Sequence, residues 1–180
     1  MKKRRTCFQI LMILVLTASS FSVSYAQDLS IWKGQWFKIT EKVSLLETNG
    51  SGAISSSKYS QTTYLQIYDV DNTNGILQCA GYDYRDGGLI STGPIAVQVL
   101  AGNALDFIWY TQLGPEVKDV VTVAAAGRIQ GKTKNGVLDG ATIKTTGMAG
   151  YIMTDLGPAV GGVSWNGSMV PESKVPPIIQ

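Results

Sequence analysis

The strongest constraint on this chain is a period of two near its start. Phe37, Ile39, Val43 and Leu45 fall on one phase, and Lys38, Thr40, Lys42 and Ser44 on the other. Successive side chains of an extended chain point to opposite faces, so this alternation describes a half-buried β-strand. The expected first strand runs over Ile31–Leu46 and opens with Trp32, Gly34 and Trp36. No useful length of chain repeats at helical spacing. Short runs of Val, Ile, Thr and aromatic residues alternate instead with turn residues.

The clearest hairpin joins Thr62–Val70 to Ile76–Tyr84 through Asp71–Gly75, where Asn74-Gly75 tolerates the positive φ of a tight turn. Pairing Tyr64 with Tyr82 places Leu65, Ile67, Leu77 and Cys79 on one side and Tyr64, Tyr68, Tyr82 and Tyr84 on the other. Further strands are expected at Ile95–Leu100, Ala104–Thr111, Val120–Lys132, Val137–Thr146 and Val163–Val170. The small residues Ala124–Gly127 invite a close approach by another group. Ser/Gly-rich Glu47–Ser60 and Gly-rich Gly147–Gly162 read as loops. Eight sequential strands without a crossover helix give an all-β fold, an eight-stranded antiparallel up-and-down barrel. Closure removes exposed sheet edges, and a two-sheet β-sandwich is the alternative.

Residues 1–26 read as a cleaved secretory signal peptide. Lys2–Arg5 form a basic start, Phe8–Leu16 an apolar run, and Ser24-Tyr25-Ala26 a small-x-small cleavage site. The expectation is therefore a periplasmic or secreted protein, with a single barrel domain at 27–170 and a Pro-rich extended tail at 171–180. After cleavage eleven basic residues face thirteen acidic ones, a balance that does not suit nucleic acid. Cys79 is then the sole thiol, so no internal disulfide forms and packing must supply the stability.

The chain has no histidine. The commonest general base, the commonest metal ligand and the usual nucleophile triads are thereby removed. No catalytic residue, cofactor or metal site is expected. Asp69, Asp71 and Thr73 alternate like calcium ligands, but Asn74 and Ala80 stand where such a loop needs glycine and glutamate, so a solvated turn is the reading. Among the acids, Asp106 lies on a surface phase. Glu41 lies on the apolar phase between Ile39 and Val43; an inward Glu41 requires a partner or a raised pKa. A solvated Glu41, shifted in phase by a bulge near Gly34, is the other reading. Tyr64, Tyr68, Tyr82 and Tyr84 form the best binding face, since tyrosine joins flat apolar area to a hydroxyl. Phe107 and Trp109 complete the candidate ligand-binding set as core or lumen lining, and Trp165 shares their apolar phase.

With Gly34-Gln35-Trp36 at the head of strand one, the eight-strand meander and the export signal, the chain resembles the lipocalin-like (calycin-type) barrels. That resemblance implies that Gly34 and Trp36 close one barrel end while the other admits a ligand. The chain departs from the family in its last arginine, Arg128, which stands well before strand eight. The functional expectation is an exported, non-catalytic protein that binds a small, mainly apolar ligand. The alternative is an envelope or surface protein acting through a protein partner or self-association. Neither involves nucleic acid, and the polar Lys38/Thr40/Lys42 face argues against membrane insertion of the mature chain.

Overall fold

The computed structural model describes residues 28–48, 51–113, 120–154 and 157–179. The expected signal segment lies outside the described residues. A 3-10 turn, Ser30–Trp32, leads into eight strands: β1 Trp36–Thr48, β2 Ile54–Asp71, β3 Ile76–Arg85, β4 Gly88–Asn103, β5 Asp106–Leu113, β6 Val120–Lys134, β7 Val137–Thr154 and β8 Gly157–Val170. Each pairs antiparallel with its sequence neighbours, and β8 returns to β1 to close the barrel. The eight-stranded all-β meander is thus the fold, and closure selects the barrel over the sandwich.

The alternation does what it was read to do. Phe37, Ile39, Leu65, Ile67, Leu77, Cys79, Phe107 and Trp109 join one buried cluster inside the barrel. Tyr64 pairs with Tyr82 as expected. The bulge at Ile67/Asp69 adds Tyr68 as an extra residue without changing the inward set. The base is sealed by Trp32, which stacks near Phe37 at 6.3 Å and meets Phe107 edge-on at 5.5 Å. Its indole N–H donates to the Ala104 carbonyl in the β4–β5 turn at 2.6 Å.

Several boundaries differ from the sequence reading; β4, for one, begins at Gly88 and not at Ile95. Strand one starts at Trp36, because Gly34 takes φ +84° and turns the chain there. Ser-rich 54–60 is strand, not loop: its backbone pairs rung by rung with β1 from Thr48↔Ile54 to Lys42↔Ser60. A complete ladder partner outweighs the weak β propensity of serine. The Gly-rich 147–162 stretch is also mostly strand. Glycine is used there for room: a Cβ on Gly161 would meet Leu45 Cδ2 at 2.5 Å, and further along β8 one on Gly167 would meet Ile39 Cγ1 at 2.8 Å. The tail at 171–179 is a docked strap. Leu89 donates to the Pro177 carbonyl at 2.8 Å, and Ile179 donates back to Leu89 at 2.9 Å.

Ala124–Gly127 does admit a close neighbour. A Cβ on Gly127 would meet Trp109 Cζ2 at 2.5 Å, so the indole lies flat against that glycine. Gly127→Ala therefore overpacks the core and should cost about 1–3 kcal/mol in urea unfolding, a displacement of Trp109 that its fluorescence would report. An unchanged midpoint would refute this packing. Burial pushes the Cys79 thiol up to about 12. Cys79 should resist a thiol reagent at a pH of about 8 in native protein and react at once in denaturant; fast native labelling would contradict the placement.

Candidate functional site

The barrel interior divides at one rung. Below it the space among Leu65, Ile67, Cys79, Trp109, Ile143 and Trp165 has no room for a water molecule. Phe107 and Trp109 are therefore packed core, and Trp109 stacks on Trp165 at 6.0 Å. Above it apolar and polar inward positions mix: Val43 and Leu45 of β1 stand in register with Tyr59 and Ser57 of β2. The dividing rung is Gln61–Glu41–Trp165, three residues in register on β2, β1 and β8.

Glu41 points inward, so no bulge exchanges the faces of β1. Its Oε1 accepts from Gln61 Nε2 at 2.8 Å, and its Oε2 accepts from the Trp165 indole N–H at 2.6 Å. Desolvation raises its pKa; the two donors oppose the rise, and the Asp83 charge adds to it. Burying a carboxylate is costly, and donors to both oxygens are what make it tolerable. Trp165 is held in turn by its backbone N–H, which donates to Thr145 Oγ1 at 2.8 Å.

Charges gather around this rung. Burial, then Glu41, Asp83 and Glu47, raise the pKa of Tyr59, while Arg85 lowers it. Arg85 sits 2.8 Å from Asp83, its nearest acid. Glu41, Glu47, Asp83 and Arg85 thus all lie within electrostatic reach of Tyr59. One rung below, Thr63 pairs with Ile39 and Asp83. Its hydroxyl, like the Trp109 indole N–H, is buried without a hydrogen-bond partner among the described residues. Tyr59, Gln61, Thr63 and Asp83 escaped the sequence reading. Carrying the inward phase of Leu65 and Ile67 back along β2, and that of Cys79 forward along β3, would have found them.

The tyrosine face lies on the barrel exterior and is divided. Tyr64 and Tyr82 are buried with Trp36 and Leu89, against Val170 and Val175 from the end of β8 and the strap. Tyr68 and Tyr84 remain 44% exposed. The four do not form one open pocket wall. Trp36 belongs to this outer cluster, 5.4 Å from Tyr82, so the residue closing the barrel end is Trp32. Gly34 keeps a structural role: its N–H donates to the Ile67 carbonyl at 2.7 Å.

Asp71 and Asp106 serve the fold. Asp71 caps its own turn, accepting from the Thr73 and Asn74 amides at 3.0 Å. Asp106 accepts two bonds of 2.6 Å from Arg128 on the outer face, which holds its carboxyl below the usual range.

The raised pKa of Glu41 has a definite sign. The native state holds this proton more tightly than the unfolded chain, so the group favours folding most at low pH. That contribution is lost as pH rises from 4.5 through the raised native value. Glu41→Gln should remove this segment: the mutant-minus-wild-type difference in urea midpoint should rise across that window and level off above it. A flat difference would mean that Glu41 is not desolvated.

In comparison with known proteins, no family model and no curated protein matches this chain.

Proposed function

We propose that this chain is an exported, non-catalytic, lipocalin-like binding barrel whose ligand sits in the upper lumen and carries a positive charge at one end. The reading rests on one observation: a desolvated carboxylate, Glu41, is held by donors at the floor of a lumen that also gathers Glu47 and Asp83. A cationic head would offset the shared repulsion of these acids, and Tyr59 and Trp165 offer aromatic faces to it. Val43 and Leu45, the next inward positions of β1, supply apolar wall for the rest of the ligand.

This moves the expected ligand out of the apolar interior and makes it amphipathic. The lipocalin resemblance enters as architecture: a closed meander, plugged by a tryptophan at one end, with its polar site toward the other. The contact-driven alternative has less surface to work with, because the strap covers Tyr64 and Tyr82.

The test is calorimetric titration with three ligands of one chain length, an alkylammonium, a fatty carboxylate and an alcohol. The ammonium should bind at least about tenfold more tightly than the others, and Glu41→Gln should abolish that preference. Equal binding of all three, or an unaffected Glu41→Gln, would sink the proposal.

A further inference from the structure

The barrel register assembles a surface that the linear sequence scatters. Lys38 and Lys42 of β1, Lys58 of β2 and Lys144 of β7 are all exposed on the outer wall. Lys38 lies between Tyr64 and Ser168, Lys42 between Ser60 and Ser164, and Lys58 beside Ser44. Lys144 lies between Asn166 and Arg128, whose own charge is engaged by Asp106. No registered neighbour of the four lysines is acidic. None of the four makes an ion pair among the described residues. The carboxylates of β1, Glu41 and Glu47, are on the inward phase. The outer wall is therefore more basic than the net charge of the chain suggests.

The same wall ends in an unexplained aliphatic rim. Leu46 pairs with Val160 across the β1–β8 seam, and Ile54 pairs with Thr48 on the next outward rung. These side chains are 57%, 59% and 74% exposed. Each lies in outward phase with the lysines. Leu46 is four residues beyond Lys42 and Ile54 four residues from Lys58, about 13 Å along each strand.

We infer that the outer wall of β7, β8, β1 and β2 is a docking face for an anionic phospholipid surface. The lysines would meet headgroup phosphates, and Leu46, Ile54 and Val160 would enter the interfacial layer. Two independent features favour lipid over a soluble polyanion. The aliphatic rim has no role against a hydrated polymer but gains free energy at a membrane interface. Among its described residues the wall also carries no arginine of the kind that clamps a nucleic-acid backbone.

The experiment is vesicle co-sedimentation of the protein purified after export, with its N-terminus established by mass spectrometry. Vesicles of phosphatidylcholine alone are compared with vesicles containing phosphatidylglycerol. Binding should require phosphatidylglycerol and weaken with added salt. Replacing the four lysines by glutamine should lower it at least about tenfold, and so should Leu46→Ser with Ile54→Ser and Val160→Ser. All seven side chains are exposed, and unchanged urea midpoints would show that the variants fold. Equal binding to phosphatidylcholine alone, or no binding at low salt, would overturn the inference. An unaffected aliphatic variant whose binding a polyuronate competes away would assign the face to a soluble polyanion instead.

Discussion

The structure depends on the ladder that joins the last strand to the first. Without β8 on β1, seven hairpin pairings would leave a curled sheet with two long unpaired edges and its apolar face open to water. The ladder runs from Trp36↔Val170 to Glu47↔Ala159, nearly the whole length of β1. It is close enough that Gly161 and Gly167 have no space for a Cβ beside Leu45 and Ile39. The seam is also where the chemistry sits. Glu41 and Trp165 are partners across it, 124 residues apart in sequence, and their hydrogen bond exists only in the closed barrel.

That bond shows why the upper lumen differs from the base. The lower interior is filled by Trp32, Phe107 and Trp109 with their aliphatic neighbours, and it stabilises the fold by removing apolar area from water. Glu41 works the other way. Desolvating a carboxylate costs several kcal/mol, and two donors return only part of it. An apolar side chain at position 41 would continue the Phe37, Ile39, Val43 series more cheaply. A group that weakens the fold where a simpler residue would strengthen it marks position 41 as a candidate site.

What was legible in the sequence was whatever depends on alternation alone. Strand number, the Tyr64–Tyr82 register and the inward set from Phe37 to Trp109 all follow from a period of two. What misled were residues whose local and tertiary meanings differ. Serines in 54–60 signal a loop locally but form strand when β1 supplies a full set of backbone partners. Gly161 sits in a glycine-rich stretch that signals flexibility, yet it serves the tight seam. Trp36 carries the family-like tripeptide, yet one residue of phase puts it outside while Phe37 goes in. The plug is Trp32, placed by a 3-10 turn that no alternation announces. The strap over Tyr64 and Tyr82 was illegible for a similar reason. A proline-rich tail has no periodicity, and its docking site on Leu89 is distant in sequence.

Charge follows the same logic. The sequence beyond residue 26, with eleven basic and thirteen acidic residues, looks featureless, because a sum discards direction. The strand period restores it. On β1, Glu41 and Glu47 occupy odd positions and Lys38 and Lys42 even ones, so the barrel sorts acids to the lumen and lysines to the wall. The β1–β2 hairpin sets Lys58 beside them, and closure brings Lys144 of β7 onto the same wall, one strand beyond β8. The potential at each surface is set by this sorting and not by the net charge, since the wall and the lumen are opposite faces of the same strands. Two opposite binding chemistries can coexist on one thin sheet because alternate residues of a strand never share a face.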